Sequence, residues 1–310
     1  MDAVKILYVK SARVILGLFV MGYAFQAQAL VVDIDITSTA AAEIPSEADG
    51  DSDTMLSASP TDTVQAFAEV GLGGEQEIGG ESAFANSRGN GAGSFGARAN
   101  GSGTYSATAT FEQAYTITND DPFAQALSFL FDIENGSIFA NCGFLSEGGD
   151  ACTGTDFAQA DYAASIILNG TEIWSSEASV LQNAAGSSFT HDGTALNILP
   201  PPDSNSYAWA PQSFLLDLGT IEVADEWNLL YSVTLSVLGQ TAGLGGCSYY
   251  YEYGNCAMSA AQFGDPSGLS STGGTMISSA APPVPVPAPF LLVAGGLAAI
   301  AALRRRRERT

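Results

Sequence analysis

The chain has 310 residues, with 33 acidic and 10 basic side chains and a net charge of −23. A field of that sign disfavours nucleic acid and anionic lipid as partners. One histidine and four cysteines leave little for a metal centre, while a hydrophobic share of 46% over this length allows a sizeable core.

Lys5, Lys10 and Arg13 precede the apolar stretch from Val14 to Phe25, and Ala27-Gln28-Ala29 puts small residues at a cleavage position. Residues 1–29 therefore read as a secretory signal peptide, handled by the Sec translocon and signal peptidase. Eight of the ten basic residues lie in this leader or beyond residue 283, so only Arg88 and Arg98 remain between. The 33 acids minus Asp2 and Glu308 leave 31, so residues 30–283 carry 2 − 31, a net charge of −29, and no lysine. Such a surface favours colloidal solubility.

Residues 30–61 read as one strand, Val32-Asp33-Ile34-Asp35-Ile36, followed by an acidic arm. From Ala40 to Pro60 the Ala, Ser, Asp and Glu content offers too little apolar area to offset ordering entropy, so a loop or disordered arm is expected. Asp49, Asp51 and Asp53 alternate as in oxygen-rich calcium loops, but Pro60 stands where an EF-hand carries its bidentate Glu.

From residue 62 to 263 the dominant period is two. Tyr105, Ala107, Ala109 and Phe111 share one face, as do Leu127, Phe129, Phe131 and Ile133, and later Tyr231, Val233, Leu235 and Val237. Asn169-Gly170 between Ser165-Ile166-Ile167-Leu168 and Thr171-Glu172-Ile173-Trp174 predicts a hairpin with a type I′ turn. Gly71 to Gly103 is dense in small residues and fits either a flat, tightly stacked strand surface or a loop. Strands separated by Gly, Asn, Asp and Pro point to an all-β antiparallel sandwich, jelly-roll-like, with a barrel as the alternative order.

Cysteine spacing suits an oxidising compartment. Of three possible connectivities the simplest has two local bridges, Cys142–Cys152 and Cys247–Cys256, each stapling one loop. Between the second pair, Tyr249, Tyr251 and Tyr253 share a face if extended, and either pack into the core or stack on sugar rings.

Catalytic signals are sparse. His191, in Thr190-His191-Asp192-Gly193, is the sole imidazole and lacks a G-x-S-x-G partner. The acid pairs Asp120-Asp121 and Asp225-Glu226 are sequence neighbours, which strands point to opposite faces. Asn119, Asp120 and Asp121 fit either a calcium-binding edge or an Asx turn before Pro122.

Residues 264–283 read as a Ser/Gly/Pro spacer. Beyond it come Val284-Pro285-Val286-Pro287-Ala288, the apolar run from Phe290 to Leu303, and Arg304, Arg305, Arg306 and Arg307. As a helix the fourteen apolar residues span about 21 Å, short of a hydrocarbon core of about 30 Å, so flanking residues or a thinned bilayer complete the crossing. The arginines hold the C-terminus in the cytoplasm and leave the preceding chain outside.

This tripartite tail, residues 284–310, resembles the C-terminal sorting signal of proteins processed by exosortases, the PEP-CTERM class, in its VPLPA-type variant, with Val286 in place of Leu. The resemblance implies a bacterium with an outer membrane, transient inner-membrane anchoring facing the periplasm, cleavage near the Pro motif, and delivery to the cell surface or an exopolysaccharide matrix. A permanent C-terminal anchor is the plain alternative. A noncatalytic structural or adhesive role is the expectation; a glycan- or calcium-dependent binding module and a secreted hydrolase are the alternatives.

Overall fold

The structure, a computed structural model, describes residues 30–45, 50–58, 63–71, 81–91, 95–142, 152, 154–241, 257–264 and 275–279. Sixteen strands run through them: β1 (Val31–Glu43), β2 (Asp51–Ser57), β3 (Thr63–Gly71), β4 (Ser82–Asn90), β5 (Phe95–Ser102), β6 (Tyr105–Thr118), β7 (Gln125–Ile133) and β8 (Gly136–Cys142) form the first half. The second half is β9 (Phe157–Leu168), β10 (Thr171–Asn183), β11 (Gly186–Gly193), β12 (Ser206–Trp209), β13 (Gln212–Ile221), β14 (Glu226–Gln240), β15 (Ala257–Phe263) and β16 (Thr275–Ser279).

They assemble into three antiparallel sheets. Seven strands run in the order β11-β10-β9-β14-β6-β1-β2, six in the order β12-β8-β15-β5-β4-β3, and three in the order β13-β7-β16. The alternation read from sequence is the reason: Tyr105, Phe111, Tyr231, Leu235, Tyr162 and Ile166 all bury one face of the seven-stranded sheet. The expected hairpin is present, with Leu168 opposite Thr171 and positive φ at both Asn169 (51°) and Gly170 (80°), as a type I′ turn requires.

Rings fill the space between the sheets. Phe95 stacks on Phe111 at 4.7 Å and on Phe263 at 5.1 Å, joining the six-stranded to the seven-stranded sheet. Phe129 and Phe131 bring β7 against the same inner face through Tyr115, Tyr231 and Trp174. Each such side chain contributes roughly 1.5–3 kcal/mol by leaving water. Burial also holds the phenols of Tyr105, Tyr115, Tyr162 and Tyr231 above the ordinary tyrosine range, because the charged form would lose its hydration. Tyr105 hydrogen-bonds with Ser259, Tyr115 donates to Thr275, and Tyr162 bonds with Ser176, whereas the hydroxyl of Tyr231 has no partner.

β4 and β5 lie within the Gly-dense stretch and make strands of its residues 82–90 and 95–102. Apart from Phe95, which opens β5, their inward residues are small: Ala83, Ala85 and Ser87 on one, Ala97, Ala99 and Gly101 on the other. Opposite them stand the large rings of β6. A Cβ on Gly101 would lie 2.1 Å from the ring of Tyr105, and one on Gly89 would lie 2.1 Å from the ring of Phe111. Small residues here are the complement of aromatic ones.

Three expectations about the flanks are corrected. The arm from Ala40 to Pro60 is ordered over much of its length: β1 continues to Glu43 and β2 pairs with it from Ile36↔Ser57 to Ala42↔Asp51. Its stabilisation is tertiary. Asp51 and Asp53 accept hydrogen bonds from the backbone N–H groups of Glu69 (3.0 Å) and Phe67 (3.3 Å), so β2 caps the open edge of β3. The β domain therefore starts at Val31 rather than near residue 62, since β1 pairs with β6 along thirteen residues. Within the expected spacer, β16 pairs with β7 from Thr275↔Phe131 to Ser279↔Leu127. The leader 1–29, the sorting motif Val284 to Ala288, the apolar run 290–303 and the arginine cluster lie outside the described residues; among the described residues no helix is long and apolar enough to cross a membrane.

Candidate functional site

Inward side chains of the two large sheets are committed to the core, so recognition falls to their outward faces, and the two differ in chemistry. On the seven-stranded sheet, Thr39, Thr110, Thr234, Ala163 and Glu177 form one cross-strand row. The next row holds Thr37, Glu112, Ser232, Ser165 and Ser175. The hydroxyls of Thr110 and Thr234 hydrogen-bond at 3.1 Å, and Asp161 accepts from Gln159 (2.9 Å) and Ser236 (3.3 Å). With Asp33, Asp35 and Glu43 on the same side, this face is hydroxylated and acidic. Between β1, β2 and β6 it carries a shallow depression of about 290 Å³ beside Glu43 and Asp51.

The outward face of the six-stranded sheet collects what the other lacks. Period-two alternation places Arg88 on β4 and Arg98 on β5, both basic residues of the body, on the same side. Asn86 pairs with Arg98 and Arg88 with Gly96, so the two guanidinium-bearing positions are diagonal neighbours on adjacent strands. One row crosses the sheet as Phe67, Asn86, Arg98, Gln262 and Ser137. The row beside it reads Glu69, Phe84, Asn100, Ala260 and Phe139.

Contacts tie these side chains together. The Arg98 guanidinium lies 5.8 Å from the centroid of the Phe84 ring, a cation–π distance, and Phe84 meets Phe67 edge-on at 5.2 Å. Phe67 is 42% exposed and Arg98 is exposed, while Asn86 is 9% exposed and its Oδ1 accepts from Gln65 at 3.5 Å. Arg88 Nε and Asn100 Oδ1 have no hydrogen-bond partner. Glu69 is the one acid on this face among the strand residues described. Guanidinium, amide and aromatic groups thus converge on a flat surface, able to donate in pairs, accept, and stack.

The residues singled out from sequence are placed elsewhere. His191 sits on β11, the outermost strand, opposite Ala178, and its Nε2 is buried without a partner. Asp192 accepts a hydrogen bond from Gly193 N at 2.8 Å, a local turn contact. Asn119 is fully buried: its Nδ2 donates to the carbonyls of Phe123, Ile221 and Glu222, and its Oδ1 accepts from Asp121 N at 3.1 Å. That is the Asx turn of the two readings. Asp121 accepts from Gln125, and Asp120 is exposed. The backbone of Asp225 closes the loop before β14, where Glu226 is the first residue.

Asp51 and Asp53 face the edge of β3, and Asp49 lies outside the described residues. Among the described residues, no group of three His, Cys, Asp or Glu side chains has metal-binding geometry. Cys142 and Cys152 form a disulfide with Cα atoms 4.9 Å apart. Cys247, Cys256, Tyr249, Tyr251 and Tyr253 are outside the described residues.

Sequence reasoning noted Arg88 and Arg98 as the only basic residues of the body but left them in a segment readable as a loop. The signal that finds the face is the i, i+2, i+4 series Phe84, Asn86, Arg88 against Arg98, Asn100, taken as strands. No protein-family model, curated protein or solved structure matches the chain.

Proposed function

We propose that the protein is an exported, exosortase-processed component of a bacterial cell surface or extracellular matrix, with a noncatalytic structural and adhesive role. The observation that carries the reading is the division of the sandwich into two broad, chemically distinct outward faces, one hydroxylated and acidic, the other bearing arginine, amides and aromatics. Broad flat faces suit lateral contact with polymers better than enclosure of a small substrate. The route is supported by the leader and tail sequences: Sec export, signal peptidase cleavage, transient residence of a C-terminal helix in the inner membrane with the body in the periplasm, then release by an exosortase-type protease. The sandwich is taken as jelly-roll-like, because the chain passes repeatedly between sheets, as from β2 to β3 and from β5 to β6.

The glycan-binding alternative gains support from the arginine face, and exopolysaccharide is its natural partner. For the hydrolase alternative, His191 stands on the outermost strand with its Nε2 buried, and Asp192 beside it accepts from Gly193 N. Intact mass and cell fraction, measured in strains with and without the exosortase, test the route. Surface or medium protein ending near Pro285 to Ala288, found only with the exosortase, is expected. Full-length protein held in the inner membrane of both strains would overturn it.

A further inference from the structure

We infer that the outward face of the six-stranded sheet is a binding platform for a carboxylated polysaccharide, a uronate-bearing chain, laid along the row Phe67, Asn86, Arg98, Gln262 and Ser137. The inference deepens the adhesive reading above by naming the partner's chemistry.

Four observations converge on this ligand. The body holds 31 acids and two arginines, and both arginines stand on one face of one sheet in diagonal register. A guanidinium presents parallel N–H donors that match a carboxylate, and two such forks on neighbouring strands match carboxylates recurring along a polymer. The Phe84 ring fixes one fork: Arg98 stacked on it is pre-oriented, so less side-chain entropy is lost when an acid group docks. Phe67 is an exposed ring at the end of the row, a surface on which the apolar face of a sugar ring rests.

The amides supply the rest of the recognition. Gln262 is exposed beside Arg98, and a side-chain amide both donates and accepts. Sugar hydroxyls also donate and accept, so they pair with it as apolar partners cannot. From β3 to β8 the row crosses four interstrand steps, roughly 19 Å at about 4.8 Å each, which suits an extended chain rather than a single ring.

The acidic opposite face sets the conditions. A body of net charge −29 repels a polyanion at long range, but at an ionic strength of about 0.15 M charges beyond roughly 8 Å are screened, while hydrogen-bonded contacts at the arginines persist. The fork geometry, more than net attraction, then decides binding. A second copy of the chain, offering its acidic face, is the competing occupant.

Isothermal titration of the purified exported protein with polygalacturonate oligomers, and with neutral glucan oligomers of equal length, tests this at about 0.15 M salt. The expected result is saturable binding to polygalacturonate at least about tenfold tighter than to the glucan, weakened about tenfold in both Arg98→Gln and Arg98→Lys. Glu177→Gln on the opposite face should leave it unchanged. Arg98 is exposed, so its variants should fold, which circular dichroism checks; Arg88→Gln should weaken binding in the same way.

Absence of polygalacturonate binding, equal affinity for the two polymers, or undiminished binding by Arg98→Gln would overturn the inference. So would concentration-dependent self-association, seen by light scattering without glycan and abolished by Arg98→Gln, which would assign the face to a second copy. Because purified protein is used, these outcomes are independent of whether the exosortase releases the chain in the cell.

Discussion

Alkaline pH should unfold this protein cooperatively, between about pH 10 and 12, through its buried phenols. A tyrosine in the unfolded chain ionises near pH 10. Burial raises the pKa of Tyr105, Tyr115, Tyr162 and Tyr231 in the folded state, so above pH 10 the unfolded chain releases protons that the folded chain keeps. The unfolded state then binds fewer protons, and stability falls as pH rises; the contribution is complete below the unfolded value and is lost as pH climbs towards the folded one. Each phenol contributes a slope of about 1.4 kcal/mol per pH unit, so four together remove roughly 5–6 kcal/mol by pH 11. A typical domain has about 5–15 kcal/mol to lose. The body has no lysine, so tyrosine is its main side chain titrating in this window. Tyrosinate absorbance and far-ultraviolet circular dichroism, followed on the same exported samples, should show a steep shared transition after an ordinary early phase. A smooth, noncooperative titration of the nine tyrosines beyond the leader, eleven less Tyr8 and Tyr23, with unchanged dichroism would refute the reasoning.

Packing and polar satisfaction give further expectations, each measurable by urea unfolding of the exported protein. Gly101→Ala places a Cβ 2.1 Å from the Tyr105 ring, whose other edge lies so close to Gly239 that a Cβ there would be 2.3 Å away. It should cost about 1–3 kcal/mol, and Tyr105→Leu in the same chain should remove at least about 1 kcal/mol of that cost. Tyr231→Phe deletes a fully buried hydroxyl with no partner and should stabilise by about 1 kcal/mol, whereas Tyr162→Phe breaks the bond to Ser176 and should destabilise by about as much. Replacing Cys142 and Cys152 together by Ser opens a loop spanning a sequence separation of 10 and should lower stability by about 2–3 kcal/mol.

Most of the sandwich is legible where large apolar residues alternate. Tyr105 to Phe111, Leu127 to Ile133 and Tyr231 to Val237 all bury the face their period assigns, and Asn169-Gly170 turns where its backbone preference demands. The illegible strands are those whose reason lies across the chain. β2 is an Asp- and Ser-bearing segment of low intrinsic strand preference, and what holds it is its ladder with β1 on one side and the edge of β3, which its carboxylates cap, on the other. β16 has the composition of a spacer and finds its ladder on β7, more than a hundred residues earlier. The Cys142–Cys152 bridge was expected from spacing alone, and the backbone brings those residues within reach.

β4 and β5 show why the candidate face was hidden with them. Local propensity counts glycine and alanine against a strand, yet here they are the inward half of a pair whose outward half is Phe84, Asn86, Arg88, Arg98 and Asn100. The same small residues that admit the rings of Tyr105 and Phe111 let the two strands lie close to the core, and their alternation presents both arginines on the opposite side. Core packing and surface chemistry are therefore coupled through a single period: a one-residue slip of β5 would turn Arg98 inward against aromatic rings and lose both. Register in this stretch is pinned by the fit of glycine to ring, so Gly101→Ala should disturb the order of the arginine face as well as stability. Heteronuclear NMR of the arginine Nε–H groups would show it as a shift or broadening of Arg98 in that variant, with the native signal kept in Glu177→Gln.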